Sequence, residues 1–475
     1  MNMEKFEGYI FTALCSINFL VSCLLFSKIT REQREPYMDE LFHVPQAQKY
    51  CHGKFNEWDP MITTLPGLYL ASVGVIKPVI WLADLTGKVV CSTAMLRFIN
   101  LLFNCGILYL LYLIICKLHF KEKTKTASRR VLLALSLSMF PVLYFFNFLY
   151  YTDAGSTFFI LFTYLMTLYG CHKASALLSV FAIFFRQTNI IWVAFCAGTV
   201  IANKMDETWR MEQSKKKDDK SPSQIPLSVS GVKRVMHFLL EFLITANHVK
   251  AVLLVTWPYV LVAVGFVTFV AFNDGIVVGD RTSHEACLNF PQLFYFFSFT
   301  LFFSAPTSLC YSRALRFLQT LKKQPFLYLF ITGVCLLLVW KFTYVHKYLL
   351  ADNRHFTFYV WNRIFQKHEA VRYALIPAYL FAAWNFMDTL KYRSLFWSLA
   401  FFLCLLAATV PQKLLEFRYF IVPYLLYRLH MPLPSLTRLG LEFLLYTAVN
   451  AATLHIFVYK TFQWPNNPAV QRFMW

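Results

Sequence analysis

Residues 293–342 read LFYFFSFTLFFSAPTSLCYSRALRFLQTLKKQPFLYLFITGVCLLLVWKF, and this stretch indicates the fold class of the chain. Its two ends are apolar. The segment between them, 311–325, has no acidic residue and carries four basic ones, Arg313, Arg316, Lys322 and Lys323. An apolar helix of about 20 residues crosses a bilayer, and short loops rich in Lys and Arg stay on the cytosolic side. The stretch therefore predicts two membrane-spanning helices joined by a cytosolic loop.

The rest of the chain has the same apolar character. Of its 475 residues, 58% are apolar and 15% are charged, whereas soluble domains contain roughly 25% charged residues. A stretch at 420–430 is interrupted by Pro423 and Arg428, which favours a re-entrant segment. The other apolar runs begin near residues 9, 65, 97, 131, 154, 175, 251, 289, 326, 372, 394 and 441. We therefore predict a single all-α polytopic membrane domain over residues 1–475, with about 12 transmembrane helices.

The net charge of +20 does not indicate a nucleic-acid partner, because the Lys and Arg residues cluster in short segments between apolar runs. Such clusters are typical of topology signals and of contacts with lipid headgroups. The 12 cysteines lack the spacings of metal sites, and a disulfide between Cys51 and Cys287 is one alternative to free thiols. The apolar run near residue 9 is interpreted as a first span and not as a removed signal peptide.

The loops predict which parts of the chain share a side of the membrane. Residues 203–250 include KKKDDKSPSQ and are predicted to form a disordered cytosolic loop, on the same side as 311–325 and both termini. Alternation of spans then places 29–64, 273–288, 345–371 and 412–436 on the opposite side. The basic segment 117–130 falls on that opposite side too, against the usual charge rule. Either this segment is an exception or the weakly apolar run 65–84 is not a full span.

The first large loop, 29–64, contains YMDELFHVPQAQKYC and then WDPMITTLPGLY. Asp39, His43 and Gln46 would share one face of a helix, although Pro45 limits the safe helical prediction to one or two turns. A carboxylate in this position suits a general base. Two alternatives are a solvated interfacial helix with an ordinary acid and a divalent-cation site formed by Asp39, Glu40 and His43.

The loop 345–371 is the strongest candidate for binding phosphate. His346, Lys347, Arg354 and His355 lie there among aromatic residues near the predicted membrane boundary. Arg binds phosphate with two parallel hydrogen bonds and Lys binds it as a point charge. The alternative is a basic patch that touches lipid headgroups.

Several polar residues lie within or beside apolar runs. They are Asp153, the series Arg186 to Asn189, Glu416 and Arg418. Ionisable groups at membrane depth usually have a partner and a function, and we predict a pair between Arg186 and Asp153. The alternative is a buried pair that only fixes helix register. The loop sequence GIVVG lacks the Gly-Lys-Ser/Thr of a P-loop, so a nucleotide-sugar donor is not indicated.

These strings, with FNFLYYTDAGS, FRQTNIIW, WKFTYVHKYLLADNRHFTFYVW and VPQKLLEFRYFIVPY, resemble the dolichyl-phosphate-glucose-dependent alpha-1,2-glucosyltransferases of the endoplasmic reticulum. The resemblance runs from about residue 7 to the final QRFMW. It implies a GT-C-type fold with luminal amphipathic helices in the first loop, a luminal active site in the endoplasmic reticulum membrane, and Asp39 as the catalytic acid residue, with Glu40 as the fallback.

The resemblance also implies the reaction and its partners. Dolichyl phosphate glucose would donate the third glucose to a dolichyl-diphosphate oligosaccharide within the lipid bilayer, in one inverting displacement. Arg354, His355, Lys347, His346 and Arg418 would bind the donor phosphate. The predicted substrate-binding residues are His43, Gln46, Asp59, Thr63, Tyr151, Asp153, Arg186, Gln187, Asp352 and Asn353. No metal or other cofactor is indicated, although a divalent cation is not ruled out. The alternatives are a non-catalytic partner such as a potassium-channel regulatory subunit and, disfavoured by the few intramembrane charges, a transporter.

Overall fold

The computed structural model describes residues 3–82, 91–120, 127–215, 229–281 and 286–475, with the backbone alone for 3–6, 213–215, 229–232 and 467. Helices dominate this part of the chain. In chain order they are α1 (Met3–Glu32), α2 (Glu40–Cys51), α3 (Gly67–Leu82), α4 (Thr93–Leu118), α5 (Ala127–Ser138), α6 (Pro141–Phe146), α7 (Asp153–Leu168), α8 (His172–Phe185), α9 (Ile190–Lys215), α10 (Val229–Ile244), α11 (Ala246–Asn273), α12 (Pro291–Phe303), α13 (Ala305–Ser308), α14 (Tyr311–Lys323), α15 (Pro325–Phe342), α16 (Lys347–Ala351), α17 (Phe356–Val360), α18 (Ala370–Ala374), α19 (Ile376–Leu390), α20 (Leu395–Thr409), α21 (Ile421–His430) and α22 (Leu436–Tyr459).

Shorter elements complete the described structure. Gln187–Asn189 and Phe417–Phe420 form 3₁₀ turns, and Trp361–Gln366 is a π-helical turn. Strands β1 (Thr461–Trp464) and β2 (Asn467–Arg472) pair antiparallel, with Thr461 opposite Arg472. The all-α prediction did not include this hairpin, because its mixed polar and aromatic sequence has no regular apolar period.

The predicted membrane class is confirmed, since each predicted apolar run contains a helix. Among the described residues, five helices are long and apolar enough to cross a bilayer: Glu7–Glu32, Thr93–Leu118, Ala246–Asn273, Pro325–Phe342 and Leu436–Tyr459. Shorter apolar helices include α3, α7, α8, α12 and α20. The number of about 12 spans stays a prediction.

Two segments are more helical than the sequence analysis predicted. Within 203–250, helix α9 continues to Lys215, and α10 and the start of α11 cover 229–250, so the described parts of this segment are helical. The remainder, 216–228, lies outside the described residues. Helix α2 also runs through Pro45 to Cys51. A proline removes one backbone donor, and the tertiary packing of α2 against α3 compensates for that loss.

The helical body has two ends, which we call the site end and the opposite end. The site end contains Asp39, and the opposite end contains the basic helix α14. His119 contacts the carbonyl of Leu429 (3.4 Å), and Arg393 donates to the carbonyl of His430 (3.1 Å). Arg393 lies between the end of α19 and the start of α20, and α19 contacts the basic helix α14. The chain around residue 119, which lies near Arg393, is therefore at the opposite end.

The structure thus corrects the predicted order of spans. Helix α3 is only 16 residues long, and a disulfide between Cys51 and Cys91 holds the chain after α3 at the site end. The run 65–84 is therefore not a full span, and the described flanks of the basic segment, 117–120 and 127–130, lie at the opposite end with the basic helix α14. Residues 461–475 lie at the site end, where the backbone of Arg472 bonds to Tyr37, so the predicted placement of both termini together was wrong.

Candidate active site

Asp39 immediately precedes helix α2, where a tight backbone turn presents its side chain. Met38 has a φ of 57°, a left-handed conformation that non-glycine residues seldom adopt. The Asp39 amide donates to the hydroxyl of Tyr151 (3.2 Å), which fixes the start of the helix. The Asp39 side chain remains 44% exposed, so its carboxylate is accessible.

Arg418 lies beside Asp39 and connects several carboxylates. Its Nε and Nη2 donate to Glu416 Oε2 at 3.1 and 2.8 Å. Its Nη1 donates to Asp39 Oδ2 at 3.3 Å and lies 3.8 Å from Asp153 Oδ2. The guanidinium also faces the ring of Tyr151 at 5.3 Å. The 3₁₀ turn Phe417–Phe420 thereby brings a residue distant in sequence to the first loop.

The predicted pair between Arg186 and Asp153 is confirmed. Arg186 Nη2 lies 3.3 Å from Asp153 Oδ1, and Arg186 Nε donates to the hydroxyl of Thr152 (3.1 Å). These charges and Arg418 border one cavity, whose other lining residues are Ser156, Thr157, Thr188, Asn189, Trp192, Ala408, Gln412, Tyr419, Ile421 and Val422. The lining of the cavity therefore combines two guanidinium groups with apolar side chains.

The charges around Asp39 set its protonation state. Burial alone would raise the pKa of Asp39, but Arg418, together with His43 and His355, holds that pKa below its ordinary value. Burial lowers the pKa of His43, and Arg418 adds to this effect while Asp39 opposes it. Asp39 is thus charged and His43 neutral near pH 7. His43 Nδ1 hydrogen-bonds to the hydroxyl of Tyr69 (2.6 Å).

Glu40, the fallback acid, is placed quite differently from Asp39. Its side chain is fully buried and receives Arg97 Nε at 2.8 Å and Arg97 Nη2 at 2.6 Å. The backbone amides of Tyr37 and Tyr150 donate to the same carboxylate at 2.9 and 2.6 Å. Four donors leave Glu40 no room for a substrate, so its contacts hold α2 against α4.

Several predicted substrate-binding residues bond within the first loop and its neighbours. Gln46 donates to the carbonyl of Glu57 (2.7 Å) and accepts from the amide of Asp59 (3.0 Å). Gln187 donates to the carbonyl of Thr63 (2.9 Å). These bonds position the loop around Asp39.

A glycine completes this loop arrangement. A Cβ at Gly279 would lie 2.3 Å from the carbonyl oxygen of Ile62, so only glycine fits this contact.

The loop 345–371 contributes His355 to the neighbourhood of Asp39, whereas the side chains of residues 352–354 bond to one another and to the hairpin. Asp352 accepts from Arg354 Nε and Nη2, both at 2.8 Å. Asn353 accepts from the indole of Trp464 (2.9 Å). The two other predicted phosphate ligands of this loop, His346 and Lys347, lie elsewhere on it. His346 caps α16, and Lys347 is exposed with its amine over the Tyr348 ring.

The alternative metal site at Asp39, Glu40 and His43 is not formed, because Glu40 turns away to Arg97. Within the parts of the chain that the structure describes, no group of three or more His, Cys, Asp or Glu side chains is placed to hold a metal ion.

The sequence analysis missed three features of this region. Cys51 pairs with Cys91, so the alternative of a bond between Cys51 and Cys287 was wrong, and Cys287 is a free thiol. Arg97 was missed although a charge inside an apolar run demands a partner. The contacts of residues 461–475 carried no detectable sequence signal.

Comparisons with known proteins give a consistent result. The model of the DIE2/ALG10 family matches residues 33–429. A mouse protein named Dol-P-Glc:Glc(2)Man(9)GlcNAc(2)-PP-Dol alpha-1,2-glucosyltransferase is 58% identical over 100% of both chains. Proteins of the same name from human and Arabidopsis thaliana are 57% and 34% identical, covering 100% and 93% of this chain and 100% and 95% of their own lengths. No solved structure matches the chain.

Proposed function

Since the chain belongs to the DIE2/ALG10 family, we propose that it transfers glucose in alpha-1,2 linkage from dolichyl phosphate glucose to the dolichyl-diphosphate oligosaccharide that already carries two glucoses. The observation that supports this assignment at the atomic level is the accessible Asp39 carboxylate 3.3 Å from Arg418, beside a cavity with a second guanidinium, that of Arg186. A carboxylate next to a cationic pocket suits attack by a hydroxyl on a phosphate-linked sugar.

Asp39 acts as the general base in this proposal. The acceptor glucose 2-hydroxyl gives its proton to Asp39 while its oxygen forms the bond to the anomeric carbon of the donor glucose. The bond from that carbon to the phosphate oxygen breaks, and the electron pair leaves with dolichyl phosphate. A beta-linked donor then yields an alpha-linked product. The leaving phosphate needs no proton, so one carboxylate suffices, unlike the two used in glycoside hydrolysis.

Arg418 links donor binding to the strength of this base. It lowers the pKa of Asp39 in the absence of a phosphate. A phosphate bound at Arg418 would offset that positive charge and raise the pKa of Asp39, which makes the carboxylate a better proton acceptor. The Arg418 guanidinium then stabilises the charge that develops on the leaving phosphate.

The cavity suits an amphiphilic donor. Arg186 and Arg418 offer charged hydrogen bonds to the phosphate, and Trp192, Ala408 and Ile421 offer apolar surface to the first prenyl units. The imidazole of His355 adds a polar group near Asp39. The polar groups of Asp352, Asn353 and Arg354 already bond within the chain, so these residues support the loop and do not bind the donor in this proposal. His346 and Lys347 lie in another part of the same loop.

The same reasoning supports a luminal active site in the endoplasmic reticulum membrane, within a GT-C-type fold of about 12 spans. The Cys51–Cys91 disulfide lies at the site end, and disulfides persist in oxidising compartments. The basic helix α14 lies at the opposite end, as expected of a cytosolic face. The relatives described above are named as glucosyltransferases, which does not favour a channel regulatory subunit.

The test uses the purified full-length protein with dolichyl phosphate glucose and defined lipid-linked acceptors carrying one, two or three glucoses. We expect extension of the two-glucose acceptor alone, with a product that an alpha-1,2-specific glucosidase removes. Transfer to the one-glucose acceptor at a similar rate, or no transfer to any acceptor, would refute the assignment.

A further inference from the structure

Residues 461–475, which we call the hairpin segment, contact three parts of the chain that carry candidate active-site residues. The first is the start of α2: the Tyr37 hydroxyl donates to the carbonyl of Arg472 (2.7 Å) and accepts from its amide (2.8 Å). Tyr37 is two residues from Asp39. Arg472 also donates to the carbonyls of Glu32 and Val458, which anchors the hairpin on the ends of α1 and α22.

The second contact is with the loop that carries His355. The amide of Met474 donates to the carbonyl of Arg354 (2.9 Å), and the amide of Phe356 donates to the carbonyl of Met474 (3.1 Å). These two hydrogen bonds fix the position of the backbone on either side of His355. The His355 Nδ1 donates to the backbone oxygen of Trp475 (2.8 Å), and Nε2, on the other side of the ring, lies 3.9 Å from Asp352 Oδ2.

Arg354 is locked by the same segment. Its Nη1 donates to Gln471 Oε1 (3.2 Å), and its guanidinium lies over the Trp464 ring at 4.9 Å. With Nε and Nη2 committed to Asp352, each terminal nitrogen of Arg354 has a partner. Gln471 is buried, with 4% of its surface exposed, so this contact is shielded from water.

The third contact is with the turn that carries Arg418. The Trp475 ring lies 5.9 Å from the ring of Phe417, which precedes Arg418, and 5.3 Å from the ring of Phe356. Trp475 thus lies between the His355 loop and the Arg418 turn. Both His355 and Arg418 act electrostatically on Asp39.

From these contacts we propose that the hairpin segment is a wall of the active site. Gln471 is a positioning residue that acts through Arg354 to hold His355 at the donor phosphate. This inference rests on the proposed function, because His355 is given a role there. Without the hairpin segment, the loop 352–356 would keep the Asp352–Arg354 pair but lose the bonds that set its distance from Asp39.

Variants of two glutamines in one hairpin test the proposal. Gln471→Leu removes the acceptor for Arg354, whereas Gln471→Glu keeps an oxygen in its place. Gln463→Leu is the matched control, because Gln463 is exposed and bonds only locally, to the carbonyl of Pro468. A hydrogen bond to a charged group contributes about 1.5 kcal/mol or more, which corresponds to roughly tenfold in a rate ratio.

We expect Gln471→Leu to lower kcat/KM for dolichyl phosphate glucose about tenfold, with the KM for the acceptor unchanged. Gln471→Glu and Gln463→Leu should stay within about twofold of wild type. Hydrogen exchange should show faster exchange of the Phe356 amide in Gln471→Leu alone. Equal kinetics and equal exchange in all three variants would overturn the proposal, as would an equal loss in Gln471→Leu and Gln471→Glu.

This experiment separates the hairpin proposal from the proposed function. The exchange measurement needs no glucosyl transfer, so it reports on the wall even if the substrates were assigned wrongly. Asp39→Asn in the same preparation reports on the base. Loss of transfer in Asp39→Asn together with unaltered Gln471→Leu would refute only the role of the hairpin segment.

Discussion

Asp39 and Glu40 are neighbours in sequence, yet their surroundings predict opposite consequences of removing each charge. Asp39 is 44% exposed and has one ion pair, at 3.3 Å, with Arg418. The Arg418 side chain is only 12% exposed, but its contact with the partly solvated Asp39 is long, and such a pair contributes about 0–1 kcal/mol. Arg418 also keeps Glu416 as its main partner. Asp39→Asn should therefore leave the free energy of unfolding nearly unchanged. Loss of a general base should lower kcat about 10²–10⁴-fold.

Glu40→Gln should do the reverse. The Glu40 carboxylate accepts from Arg97 and from the amides of Tyr37 and Tyr150, and both charged side chains are fully buried. A glutamine would direct its NH₂ group at one pair of these donors and leave the Arg97 charge without a counter-ion. Breaking a buried pair in this way costs about 3–5 kcal/mol. The unfolding temperature should drop markedly.

The assay measures both quantities on the same preparations. Thermal unfolding of the purified variants in lipid nanodiscs reports stability, and transfer to the two-glucose acceptor at 15 °C reports kcat for the folded fraction. Asp39→Glu, which keeps a carboxylate, is the control for Asp39→Asn and should retain more activity. Activity of Asp39→Asn within tenfold of wild type would refute the assigned base. A stable but inactive Glu40→Gln would move the chemistry to Glu40.

Two further predictions concern Arg418 and the disulfide. Arg418 stabilises the charged form of Asp39, so Arg418→Gln should raise the pKa of that carboxylate. The acid limb of the pH profile of kcat/KM should then lie at higher pH in Arg418→Gln than in wild type or Arg418→Lys. An unmoved limb would show that Asp39 is not the group that titrates. Cys51→Ser should lower the free energy of unfolding by about 4 kcal/mol, as expected for a disulfide that spans 40 residues. The control variant Cys287→Ser, which removes a free thiol, should not change the thermal unfolding profile. Equal effects of the two variants would argue against the Cys51–Cys91 pairing.

The sequence was sufficient to predict those features that follow from the free-energy cost of placing a charged side chain near lipid. Arg186 and Asp153 were predicted to pair because neither charge is stable alone in apolar surroundings, and the structure places them 3.3 Å apart. Arg97 also requires a partner, but that partner, Glu40, lies 57 positions away in the sequence. Glu40 is in a polar loop, where acidic residues are common, so nothing in the sequence singled it out. Pairing across such a distance depends on how α4 packs beside α2.

The errors in topology have a similar origin. A mostly apolar helix of 16 residues such as α3 has the composition of a short span, and the contacts of Cys91 with Cys51 and Gln48 show that the chain returns to the same end. One crossing predicted in excess inverts the side assigned to every later loop until another error cancels it. The basic segment 117–130 signalled this problem, because its charge contradicted the predicted side.

The contacts of Arg418 suggest how an anionic donor could enter a site that already contains three carboxylates. Its bonds to Glu416, at 2.8 and 3.1 Å, hold the guanidinium in place, while its Nη1 reaches Asp39 and Asp153 only at 3.3 and 3.8 Å. Charge-assisted hydrogen bonds are strongest near 2.7–2.9 Å, so the Nη1 contacts are weak. A phosphate oxygen that replaced these two contacts would form a short hydrogen bond with Nη1 at the cost of two weak ones. It would also separate Asp39 from Arg418, whose positive charge weakens Asp39 as a base. Donor binding would thus prepare the carboxylate for the acceptor hydroxyl, and the donor should bind first.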